Sequence, residues 1–95
     1  MTGKTSSGFE YEIDGKAIHD FRFLRAVRDM QSTDLARQVE GVTAVVEIIF
    51  NDPEQEERFL RHVAKDGRAL TSDVIRETRE ILDSIKAQDE TVKNL

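Results

Sequence analysis

The chain has 95 residues, 38% of them hydrophobic and 35% charged, and a formal net charge of −5. That length makes one domain with a modest core, and the acidic balance repels nucleic-acid backbones and anionic membranes alike. There is no cysteine, which excludes a disulfide framework and thiolate metal sites. No apolar run approaches the ~20 residues that span a bilayer. The opening MTGKTSSG lacks the apolar stretch of an export signal, so the expected compartment is a reducing bacterial cytosol.

Residues 1–7 are small and polar with no periodicity, and are expected to form a disordered arm before a single domain over 8–87. Phe9, Tyr11 and Ile13 alternate with Glu10 and Glu12, the period-two pattern of a strand with one apolar and one acidic face. Asp14-Gly15 is a strong hairpin signal and predicts a short return strand over Lys16–Ile18. Asp20 has the chemistry of an N-cap. In the helix that follows, Phe23, Leu24, Val27 and Met30 share one face, with Phe21 at its edge and Arg22, Arg25, Arg28 and Asp29 toward water. The run Ser32-Thr33-Asp34 ends this helix and caps the next.

Leu35, Val39, Val42, Val46 and Ile49 recur at helical spacing. The piece over 42–50 is apolar nearly all round and rich in β-branched residues, so a buried strand is the alternative; the unbroken register from Leu35 favours helix. Gly41 inside it costs about 1 kcal/mol against Ala, which predicts a kink or two shorter helices. Asp52 and Pro53 open the third helix, with Gln55 placed to complete a capping box. Its buried side is Phe59, Leu60 and Val63, and Glu54–Arg58 and Glu57–Arg61 have ion-pair spacing. Asp66-Gly67 stops it, with Gly67 left-handed. Thr71 or Ser72 caps the last helix, whose stripe is Val74, Ile75, Thr78, Ile81, Leu82 and Ile85; Arg76–Glu80 and Arg79–Asp83 pair outside. Residues 88–95 lose the pattern and are expected to fray. The fold class is α+β, mostly helical: an N-terminal β-hairpin followed by about four helices.

The chemistry-bearing side chains form no convincing constellation. His19 and His62 lie on different elements with no further imidazole or carboxylate at ligand spacing, where zinc needs three or four ligands. No metal or cofactor is expected. The carboxylates Glu54, Glu56 and Glu57 are accounted for by a helix N-terminus. Ser6, Ser7, Ser32, Ser72 and Ser84 lack a nucleophile elbow and a paired histidine, so no enzyme is expected. Arg22, Arg25 and Arg28 form a drifting basic row, the basis of an alternative reading as a small regulatory protein contacting nucleic acid. The apolar side chains of the hairpin and of 42–50 exceed what so small a fold needs: the favoured reading is that both complete the core, and the alternative is that part of this surface receives a partner by strand addition or as a helix in a groove. Tyr11 and Phe50 are the candidate partner-binding residues there.

The order of signals carries a resemblance. Phe9-Glu10-Tyr11-Glu12-Ile13-Asp14-Gly15-Lys16 is followed by Asp20-Phe21-Arg22-Phe23-Leu24. Then come an Asn51-Asp52-Pro53-Glu54-Gln55 junction, where Asn51 takes the place of a Gly, and Thr71-Ser72-Asp73-Val74. Over residues 9–86 the chain resembles the tail assembly chaperones of long-tailed, siphovirus-like bacteriophages. The resemblance implies a non-catalytic protein of the host bacterial cytoplasm that binds the tape measure protein, a very long helical chain, and keeps it soluble until the tail tube forms. It also implies a longer frameshifted form. Reversible cover of a long apolar helix calls for many weak contacts, which an oligomer of this domain would supply.

Overall fold

The computed structural model describes residues 1–90 together with Val92 and Lys93. Two strands, β1 (Thr2–Lys4) and β2 (Glu10–Glu12), are followed by a 3-10 turn at Ala17–His19 and four helices. These are α1 (Phe21–Met30), α2 (Leu35–Phe50), α3 (Pro53–Val63) and α4 (Thr71–Gln88). The fold class is as expected, α+β and mostly helical.

The strand read from alternation is present, and Phe9, Tyr11 and Ile13 are all buried. Its partner is not Lys16–Ile18. β2 pairs antiparallel with β1, Gly3 opposite Tyr11, and the ladder continues through Thr5 N–H to Phe9 O (2.9 Å) and Ile13 N–H to Met1 O (2.7 Å). Residues 1–7 are therefore a strand and a turn, not a disordered arm. Two local causes decide this. The Asp14 carboxylate accepts from Lys16 N–H at 2.9 Å and the Asp14 carbonyl from Ala17 N–H at 3.0 Å, which winds the chain into the 3-10 turn and buries Ile18. Gly8, at φ 97°, makes the real hairpin turn. The two-residue turn with positive φ at both positions lies instead at Asp66-Gly67 (φ 54° and 78°), closing the Lys65–Arg68 bridge.

α2 is one unbroken helix, so the segment 42–50 is helical and Gly41 does not divide it into two. Gly41 is buried against α1: a Cβ there would lie 2.5 Å from Met30 N and 2.7 Å from Ala26 O. The glycine is the notch through which the two backbones approach. Asp20, Asp34 and Asp52 cap α1, α2 and α3, each accepting from the N–H two residues on. Asn51 ends α2 in the left-handed conformation (φ 47°), a place for Gly or Asn.

Some expected local contacts are not made, and for Gln55, Arg58 and Glu80 a tertiary partner competes. Gln55 does not close a capping box; its Oε1 accepts from Glu12 N–H at 3.2 Å and seals the outer edge of β2. α4 begins at Thr71 with Leu70 as N-cap and no side-chain cap from Thr71 or Ser72. Among the described residues none of the four anticipated helix ion pairs forms. Arg76 turns to Asp73 (2.9 Å), Arg58 lies over the Phe9 ring (5.5 Å), and Glu80 accepts from the backbone N–H and hydroxyl of Ser6. Nor is the end of the chain simply frayed. Val92 is fully buried, its N–H bonded to the Asp89 carboxylate at 3.1 Å. The expectation for residues 91, 94 and 95 lies outside the described residues.

At the centre of the core Phe9, just before β2, meets Phe50 of α2 and Phe59 of α3, with ring centroids 5.2 to 6.0 Å apart at tilted or edge-on angles; α4 adds Ile81, Leu82 and Ile85 to the same core. α1 sits to one side of this cluster and packs chiefly on α2.

Candidate docking surface

Tyr11 and Phe50, the residues singled out for partner contact, are each 5% exposed. The Tyr11 ring lies across Gly3, where a Cβ would meet the Tyr11 oxygen at 2.2 Å. Phe50 closes the aromatic cluster. Both are core side chains, and the apolar excess around 42–50 is absorbed by the interior. The alternation and the apolar run show which residues are greasy; they do not show that strand, turn and helices close over them.

Folding does bring polar groups together that spacing alone kept apart. The Ser7 hydroxyl stands 2.9 Å from His62 Nε2 and donates to the Glu77 carboxylate, which also accepts from Thr5 Oγ1 at 3.0 Å. Ser7 is thus paired with a histidine, contrary to the sequence expectation. In a hydrolytic relay, however, the carboxylate orients the imidazole and the imidazole takes the hydroxyl proton. Here the carboxylate takes the serine O–H itself, and His62 is left to donate to the serine oxygen. The arrangement is a clamp: with Ser6 on Glu80 it fastens the β1–β2 turn to α3 and α4. It also satisfies Glu77, which is 3% exposed. His19 likewise finds a carboxylate, Asp89, at 3.2 Å. Among the described residues no group of three or more His, Cys, Asp or Glu could hold a metal ion.

What is left open is one flank of α1. The spacing 21, 24, 25, 28 places Phe21, Leu24, Arg25 and Arg28 along one side of the helix. With Val27 and Gln31 they line a shallow groove of about 360 Å³. Phe21 is 73% exposed, an unusual position for a phenylalanine. Two more apolar side chains, Leu35 (63%) and Val39 (38%), are exposed on α2. They continue the Val42–Val46–Phe50 stripe beyond the part that the core covers. The sequence reading placed Phe21 at the edge of the α1 face. Four-residue spacing to Arg25 was the available clue that it lies on the wet side.

The basic row is less basic than its sequence suggests. Arg22 folds back on Asp20 at 2.7 Å, and Arg28 has Asp29 at 3.9 Å. Arg25 has no ion-pair partner among the described residues. The Arg22 side chain first, and its backbone N–H second, hold the Asp20 carboxyl at about 2, below its usual 3.8. A depressed carboxyl favours folding in its ionised form. That contribution is complete above about pH 4 and is lost as the pH falls through about 2. Replacing Asp20 with Asn, which still caps a helix, is expected to flatten this acid limb; thermal melts of both proteins across that range would read it. An unchanged slope would mean that the Asp20–Arg22 pair does not hold in solution.

Compared with known protein families, characterised proteins and solved structures, the chain matches none.

Proposed function

We propose that this chain is a non-catalytic binding protein that covers an apolar helical segment of a larger partner. In that reading it is a tail assembly chaperone of a long-tailed bacteriophage, working in the host cytoplasm, and the partner is the tape measure protein. The observation that carries the binding role is the exposure of Phe21 at the head of an apolar groove on a helix that packs chiefly on α2. A single exposed phenylalanine is ordinary, but one continued by the half-buried Leu24 in a concavity is a place to dock. The ordered motifs over residues 9–86 support the family assignment. The Asn51-for-Gly departure is mild in backbone terms, since Asn51 takes the left-handed conformation that glycine favours. The acidic surface suits a protein that must keep an aggregation-prone chain dispersed.

Coexpression tests this. A tape measure protein coexpressed with this chain should be soluble in its presence and largely insoluble without it. Phe21→Asp, a change at an exposed site, should abolish the rescue while the variant itself stays folded. Equal insolubility of the partner with and without the chain would end the chaperone reading. Salt-sensitive DNA binding lost on replacing Arg25 would favour the regulatory alternative instead.

A further inference from the structure

We infer that the α1 groove accepts an amphipathic helix whose apolar ridge is flanked by carboxylates, and that its occupant is a partner chain and not a second copy of this one. The inference rests on the docking role proposed above and adds the chemistry of what docks.

Shape comes first. The groove runs from Phe21 to Gln31, about 15 Å of helix axis, and every residue lining it belongs to α1 and the residue after it. Grooves between the side-chain rows of one helix are complementary to the rows of another, so a helix is the matching shape. Phe21 and the half-buried Leu24 supply apolar carbon for its ridge, with the buried Val27 as its floor.

Charge then selects the helix. The two cations lining the groove, Arg25 and Arg28, are poorly compensated: Arg25 has no ion-pair partner among the described residues, and Arg28 has only Asp29 at 3.9 Å. Arg22 is held by Asp20 and does not line the groove. On a chain of net charge −5, two weakly paired guanidinium groups beside an exposed apolar strip form a local field of the opposite sign. A partner helix carrying Glu or Asp beside its ridge would meet them, and one carrying Lys or Arg would be repelled. The same rule disfavours a copy of α1 laid face to face on this one, because it would set Arg25 and Arg28 against their own equivalents.

The test uses the full chain and two labelled helical peptides of roughly 20 residues with the same leucine ridge, one flanked by Glu and the other by Lys. Fluorescence anisotropy should show the Glu peptide binding about 10-fold or more tightly than the Lys peptide, with the advantage shrinking as salt rises. The double variant Arg25→Glu, Arg28→Glu should reverse the preference, and Phe21→Asp should weaken both peptides. Equal affinities that Phe21→Asp still abolishes would overturn the charge selection and leave the docking role standing. No binding of either peptide, with coexpression rescue unaffected by Phe21→Asp, would overturn both. A dimer in sedimentation that Phe21→Asp converts to monomer would overturn the choice of occupant.

Discussion

Phe50→Asp is expected to unfold this protein, whereas Phe21→Asp is expected to leave it folded. The two phenylalanines differ in where the chain puts them, 5% exposed for Phe50 and 73% for Phe21. Removing the Phe50 ring alone forfeits about 3–5 kcal/mol, since its contacts with Phe9 and Phe59 cannot be replaced by collapse around a short side chain. The carboxylate adds a desolvation cost of several kcal/mol, and the cation recorded at the aromatic cluster, Arg58, lies over the Phe9 ring and not over Phe50. It also places negative charge at the C-terminal end of α2, where the helix dipole is already negative. Together these match or exceed the roughly 5–10 kcal/mol that stabilises a domain of this size. Far-UV circular dichroism at 25 °C (roughly room temperature, where the parent is folded) should show native helix content for Phe21→Asp and its loss for Phe50→Asp. If Phe50→Asp keeps native helicity and loses only a partner, Phe50 is a surface residue and the interior described above is misassigned.

The contrast also marks how far residue pattern reaches in this chain. The first three helix starts were legible because each carries its own local chemistry: Asp20, Asp34 and Asp52 cap the helices they precede, whereas α4 was legible from its apolar stripe and not from a cap. The strand over 10–12 was legible from its alternation. What pairs with it was not, because the Asp14-Gly15 turn signal is local and the competing outcome is settled elsewhere. The first seven residues gain order from Glu77 and Glu80, some 70 positions later in the chain, and no periodicity within MTGKTSS encodes that. The same holds for the docking surface. Apolar residues in the sequence pointed to Tyr11 and Phe50, since both lie in runs richer than a small core seemed to need. The folded chain uses those runs for its interior and leaves Phe21 outside. Phe21 follows directly on an N-cap, where a large apolar side chain reads as the start of a buried face. Only the way α1 is seated on α2 decides which flank stays wet.

That seating depends on Gly41, and the second large effect is expected there. A Cβ at position 41 would lie 2.5 Å from Met30 N, 2.7 Å from Ala26 O and 2.8 Å from Asp29 C, all backbone atoms of α1. A flexible side chain could swing aside; a helix backbone cannot, so α1 must shift bodily outward. In an exposed helix, Gly to Ala would gain about 1 kcal/mol from propensity. Overpacking of a tight interior typically costs 1–3 kcal/mol, and contact with an immovable backbone lies at the upper end of that range. The net expectation for Gly41→Ala is a loss of about 2 kcal/mol, a fall in melting temperature of about 10 °C for a chain of this length. Gly15→Ala is the matched control, because nothing lies within 4 Å of its added Cβ and its φ is not positive. It should melt at or slightly above the parent temperature. The outward shift has a second consequence. α1 carries both the groove and the arginines beside it, so Gly41→Ala should weaken peptide docking even below its melting transition, although position 41 never touches the ligand. A Gly41→Ala protein as stable as the parent would mean that α1 and α2 are not in backbone contact, and the docking face would then lack its fixed support.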